Sequence, residues 1–93
     1  MIRVRIPQVV DLEGAIKMYY RRIELSNADI ETLFGKHSSS TIAKLKKMAQ
    51  NKMVEKNVMS LNALYVNTAA AYEAWGLDIN DLEHRFQKLK QLA

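Results

Sequence analysis

Between Ser26 and Gly35 the chain reads SNADIETLFG, a helix whose two ends are both written into its sequence. Ser26 is a strong helix-capping type, and Asp29 can reach back to the cap's own N–H, a short version of the capping box. Leu25, just ahead of the cap, can pack on Ile30 as a hydrophobic staple. Ile30, Leu33 and Phe34 share one face at helical spacing. Gly35 then stops the helix, because glycine adopts the left-handed backbone common just past a helix end. The chain must therefore leave a helix of about two turns through a sharp turn.

The residues after the turn, KHSSSTIAKLKK, predict another helix. Ser38 or Ser39 can cap it, and the pattern carries it at least to about Lys52. Ile42, Leu45, Ala49 and Met53 line one side. At about 100° per residue, Ser40, Lys44, Lys47 and Asn51 gather on the opposite side. That side holds no acid and no large apolar side chain.

Upstream, a helix is predicted from near Asp11 to about Glu24, with Leu12, Ala15, Ile16, Tyr19 and Ile23 on one face. Glu13 and Lys17 stand four apart in the favourable order. Arg21 and Arg22 lie near its end, where cations suit the helix dipole. Before it, the alternating IRVRI that precedes Pro7 reads as a short strand or extended arm, with Ile2, Val4 and Ile6 on one side and Arg3 and Arg5 on the other. A lone strand is unstable, so residues 63–66 (ALYV) or a second subunit would have to pair with it. The stretch NVMSLNALYV is open between helix end, loop and strand. Downstream, Asn67 or Thr68 can cap TAAAYEAW, which ends at Gly76. Asp78 or Asn80 can cap the last helix, where Asn80 and Glu83 have capping-box spacing. Leu82, Phe86, Leu89 and Ala93 form its apolar stripe.

With 93 residues, 48% of them hydrophobic, and no repeat or long linker, residues 1–93 read as one helical domain with a modest core. The absence of cysteine excludes disulfides, thiolate metal sites and cysteine nucleophiles, and it points to a reducing, cytoplasmic setting. No run approaches the roughly 20 apolar residues of a membrane span, and the first residues do not read as a signal peptide. The net charge is +4, but its distribution says more. Residues 36–56 hold six lysines against Glu55, a net +5, whereas residues 57–93 sum to −1. Focused basicity of this kind is the footprint of an anionic partner.

Little in the chain suggests catalysis. His37 and His84, the only histidines, lie far apart in different elements, with no carboxylate spacing that would complete a metal site. The serine run has no neighbouring base. The three glycines do not cluster into a phosphate-cradling loop. The expectation is a protein that is not an enzyme, with no cofactor, metal or small-molecule substrate. Tyr65, Tyr72 and Trp75, at helical spacing beside alanines, read as core rather than as base-stacking residues.

A short helix, a glycine turn and a further helix are the parts of a helix-turn-helix, whose latter helix enters the major groove by its N-terminal part. Residues 26–52 supply each part. Ile30, Leu33, Phe34, Ile42 and Leu45 would form the wedge between the two helices, and the first helix would cover the back through Ile16, Tyr19 and Ile23. The candidate DNA contacts are Lys36, His37, Ser38, Ser39, Ser40, Thr41, Lys44, Lys47 and Asn51. Hydroxyls at a helix N-terminus suit phosphates and base edges, and lysines further along suit phosphates or guanine. The run FG followed by SSSTIAKL resembles the helix-turn-helix DNA-binding proteins of bacteria and their phages. That resemblance implies sequence-specific binding of double-stranded DNA in a regulatory or accessory role, including that of mobile elements. The interval from Gly35 to Thr41 is one residue longer than in the commonest repressor pattern, so a different turn is expected.

A second helix–glycine–helix stretch lies at residues 68–86. There Asp78, Asp81 and Glu83 crowd the start of the final helix and would repel phosphates, so residues 67–92 read as a hairpin for packing or association. The expected fold is mainly α, four to five helices around one core containing the helix-turn-helix, with a short N-terminal β-strand. A homodimer joined through that strand or through the last helix is the expected assembly, because one recognition helix buries little. The alternative is a helical interaction or assembly module, such as a phage packaging subunit, whose lysine face is merely solvated. The two readings differ over whether Ser40, Lys44, Lys47 and Asn51 stand open or lie beneath the chain's own C-terminal part.

Overall fold

In a computed structural model, which describes residues 6–59 and 64–92, five helices and one small β-ladder enclose a single core. The order is α1 (Leu12–Arg21), β1 (Glu24–Leu25), α2 (Asn27–Phe34), α3 (Ser39–Glu55), β2 (Val66–Asn67), α4 (Thr68–Ala74) and α5 (Ile79–Leu92). The fold is mainly α, as the sequence predicts.

Local signals set α2 and α3 as expected. The Ser26 N–H donates to Asp29 Oδ2 at 2.9 Å, and the Asp29 N–H donates back to Ser26 Oγ at 3.3 Å, which completes the capping box. Leu25 and Ile30, the staple pair, are both fully buried. Gly35 takes φ 83° and ψ −178°, a region that side chains avoid. A β-carbon there would also meet Val10 Cγ1 at 3.2 Å. Ser38 caps α3, its hydroxyl accepting from the Thr41 N–H at 3.2 Å. The helix buries Ile42, Leu45, Ala49 and Met53.

Two buried aromatic side chains join distant elements through their polar tips. The Trp75 indole N–H donates to the Leu45 carbonyl at 2.9 Å and so ties α3 to the end of α4. The Tyr72 hydroxyl donates to the Ala15 carbonyl at 2.7 Å and ties α4 to α1. Phe34 meets the Trp75 ring edge-on with centroids 5.2 Å apart, a favoured aromatic arrangement. Both Tyr72 and Trp75 belong to the core, in keeping with the sequence reading, whereas Tyr65 is 39% exposed.

The structure corrects several expectations. Helix α1 ends at Arg21 rather than near Glu24, because Arg22 is already extended. The extended chain is needed for β1, which pairs antiparallel with β2 in the register Glu24↔Asn67 and Leu25↔Val66. Ile23 lends its carbonyl to the Thr68 N–H at 2.9 Å, while its side chain is 82% exposed. Ala15, Ile16 and Tyr19 join the core without Ile23, and α1 packs chiefly on α5 and on Tyr72 of α4 rather than on the back of the α2–α3 pair, as the sequence suggests. The strand partner of residues 66–67 is thus β1. Residues 1–5 of the expected N-terminal strand lie outside the described residues, and Ile6 is in no strand. Asp78, not Asn80, caps α5: its Oδ1 accepts from the Asn80 N–H at 2.9 Å. Glu83 makes its hydrogen bond to the Tyr20 hydroxyl instead of closing a capping box. Of the C-terminal stripe, Leu82 is buried and Phe86 half-buried, but Leu89 is 54% exposed, and Ala93 lies outside the described residues. No helix among the described residues is long and apolar enough to cross a membrane.

Candidate nucleic-acid interface

Helix α3 has two sides with different duties. Its apolar side is fixed from beneath by α4 and by the indole bond to Leu45. That anchor turns Ser40, Lys44, Lys47 and Asn51 outward, and all four are exposed. No part of α4 or α5 covers them.

The electrostatics of this side differ along its length. Lys36, Lys44, Lys46 and Lys47 form no ion pair among the described residues. The two lysines at the far end do: Lys52 lies 3.4 Å from Glu55, and Lys56 pairs with Glu73. That pairing holds the Glu73 carboxyl below its usual range. Positive charge that is not neutralised by the protein's own acids is thus concentrated on the turn and the first half of α3, where it can attract an anionic ligand from solution.

The turn, residues 35–38, is built by short-range bonds. His37 Nε2 donates to the Phe34 carbonyl at 2.9 Å and so satisfies one of the acceptors that the end of α2 leaves open. The Ser38 hydroxyl is engaged as the cap and lies 3.0 Å from Thr41 Oγ1. Ser39 and Ser40 open α3, and their hydroxyls make no hydrogen bond among the described residues. Of the nine predicted contacts, Lys36, His37, Ser38, Ser39 and Ser40 thus stand exposed around the turn, and Thr41 is half-buried at its rim. Lys44, Lys47 and Asn51 continue along the exposed side of α3 over a length of about 16 Å from Ser40.

One neighbour of this surface has no signal in the sequence. Ile6, Pro7 and Gln8 line a shallow groove with His37 and Thr41. A contact between segments some thirty positions apart leaves no periodic trace, and only the folded chain brings them together.

The acidic start of α5 has its own partners. Asp81 Oδ2 lies 2.9 Å from Arg85 Nε, and Asp78 serves as the cap. Among the described residues, no three metal-ligating side chains come together. Fold and surface together define a small, mainly α domain carrying one basic, open helix side. The chain matches no protein-family model, and no curated protein and no solved structure matches it.

Proposed function

We propose that this protein binds double-stranded DNA in a sequence-specific manner, with α2 and α3 acting as a helix-turn-helix and α3 as the reading helix. The observation that carries this reading is the exposed side Ser40, Lys44, Lys47 and Asn51, which no acid of the described residues neutralises. In this reading Lys36, His37, Ser38, Ser39 and Thr41 sit at the rim of the major groove and hold phosphates. A regulatory or accessory role in a bacterium, phage or mobile element follows from the resemblance of the run FG…SSSTIAKL, and a cytoplasmic location from the absence of cysteine. A second copy of the chain completes the proposal, because one recognition helix buries too little for a specific site.

Lys44→Glu combined with Lys47→Glu tests the reading. Binding to labelled duplexes selected from a random pool should fall sharply, while helical content stays unchanged. Each lost phosphate contact should also make the salt slope shallower by about 0.9. Equal affinity of the folded double variant at moderate salt would remove the DNA-facing role of α3.

A second reading, a helical interaction or assembly module, is favoured by one observation: Leu89 and Leu92 leave the outer end of α5 apolar and open, at 54% and 85% exposure. In that reading α5 is the working surface and the lysines are solvated.

A further inference from the structure

We infer that Gln8 is a further contact of the same interface, an uncharged donor that holds a phosphate of the DNA strand flanking α3. The inference rests on the DNA-binding reading above.

Gln8 comes from the segment ahead of α1, yet it shares a groove with His37 and Thr41 at the start of α3. Its backbone is braced on both sides. Pro7 before it has a backbone angle fixed by its ring. Two residues on, the Val10 N–H donates to the Leu33 carbonyl at 2.9 Å, and the Val10 methyl abuts Gly35. The Gln8 side chain is exposed and makes no hydrogen bond among the described residues. A donor on a braced backbone costs less to order on binding than one on a loose loop.

Position around α3 decides what Gln8 meets. Ser40, Lys44, Lys47 and Asn51 share one side, and Thr41 stands about 100° round from Ser40. With the former in the major groove, Thr41 and the groove it shares with Gln8 face the sugar–phosphate wall rather than the base edges. Other donors at that wall are already engaged. His37 gives its Nε2 proton to the Phe34 carbonyl, and Thr41 Oγ1 lies 3.0 Å from the Ser38 hydroxyl. The Gln8 amide stands uncommitted beside them, and glutamine is among the side chains that donate to phosphate oxygens.

An uncharged residue suits this place. On its other side Gln8 lines a neighbouring groove with Asp78, Asp81 and Arg85. Asp78 there caps α5 through the Asn80 N–H, and Asp81 is paired with Arg85. Gln8 thus marks the edge of the footprint, with carboxylates behind it and the turn that bears Lys36 ahead.

The test uses the full chain carrying Gln8→Ala, with a mixed-sequence 30-base-pair duplex as probe and anisotropy read from low to high salt. Loss of one hydrogen bond to a charged acceptor should weaken binding about tenfold. The log–log salt slope should not change, because an amide displaces no counterion. Lys44→Ala in the same assay should instead flatten that slope by about 0.9. Gln8→Glu should bind more weakly than Gln8→Ala, since a carboxylate repels phosphate. Selection from a random pool should give Gln8→Ala the wild-type sequence preference, because a phosphate contact carries no sequence information. Wild-type affinity in Gln8→Ala, in a protein that still needs Lys44 and Lys47, would overturn the contact while leaving the reading of α3 intact. A changed sequence preference would also overturn it, by assigning Gln8 to a base edge. So would a lowered melting temperature with unchanged affinity, by assigning the amide to Asp78 and Asp81. Failure of the wild type to bind duplex at any salt would remove the DNA reading and the contact together.

Discussion

Tyr72→Phe isolates one long-range bond. The hydroxyl it removes donates to the Ala15 carbonyl at 2.7 Å, in a side chain that is 1% exposed. Ala15 lies within α1, so its carbonyl keeps the helical bond from the N–H four residues on. No buried group is orphaned, and the loss is that of one net hydrogen bond, about 1 kcal/mol. For a domain of this size that corresponds to a melting temperature lower by roughly 4–8 °C. Urea titration followed by the emission of Trp75, the single tryptophan, reports the change, because its ring is buried 6.3 Å from that of Tyr72. Circular dichroism gives an independent second signal. The pH dependence follows from the same burial, which holds the Tyr72 phenol well above its ordinary range. A raised folded-state value means that the folded state keeps its proton longer than the unfolded state does. The resulting stability is complete below the unfolded value of about 10 and is lost as pH rises above it. Wild type should therefore lose stability more steeply than Tyr72→Phe in that alkaline range. A stability change below about 0.3 kcal/mol, or above about 3 kcal/mol, would refute the single-bond reasoning. The first would mean that the bond is replaced at no loss, the second that α1 detaches.

The other two predictions concern helix ends and the outer surface. Ser26→Ala removes the acceptor for the Asp29 N–H and should lower stability by about 1 kcal/mol. DNA affinity should follow unfolding alone, and a large affinity loss at full stability would mean that Ser26 touches the ligand. Leu89→Glu places a charge on an exposed position of α5, so the monomer's melting temperature should hold. If α5 joins two copies, sedimentation should instead show the variant as a folded monomer at concentrations where wild type is a dimer. Identical sedimentation of the two proteins would move self-association away from this helix.

The elements that were legible in the sequence are those whose signals are local. Ser26, Asp29 and Gly35 act within ten residues of one another, and the helix they delimit is the one observed. The spacing of Ile42, Leu45, Ala49 and Met53 likewise identified the buried side of α3, and hence the exposed positions opposite. Expectations failed where a distant partner decided the outcome. Ile23 fits the apolar pattern of α1, but the pairing of Glu24 and Leu25 with Val66 and Asn67 draws the chain into extended form before the helix can reach it. Asn80 and Glu83 have capping-box spacing, yet Tyr20, 63 positions from Glu83, takes the carboxylate. Leu89 continues the stripe of Leu82 and Phe86, but α1, at 10 residues against 14 in α5, is too short to cover it. The groove between residues 6–8 and His37 follows the same rule, since nothing in either segment announces the other.

The β1–β2 ladder has a topological consequence. Residue 24 is held against residue 67, so α2 and α3 lie within a closed ring of chain, fastened at fully buried Leu25 and Val66. Helices α1 and α5 lie outside that ring on either side of it in sequence and pack on each other. The expected order of opening has the outer pair loosening before the ring, since the ladder is fastened at fully buried residues. The helix that bears the lysines belongs to the ring. Thermal fluctuation of the termini, or remodelling of α1 and α5 by a partner, would thus leave the presentation of Ser40, Lys44, Lys47 and Asn51 in place.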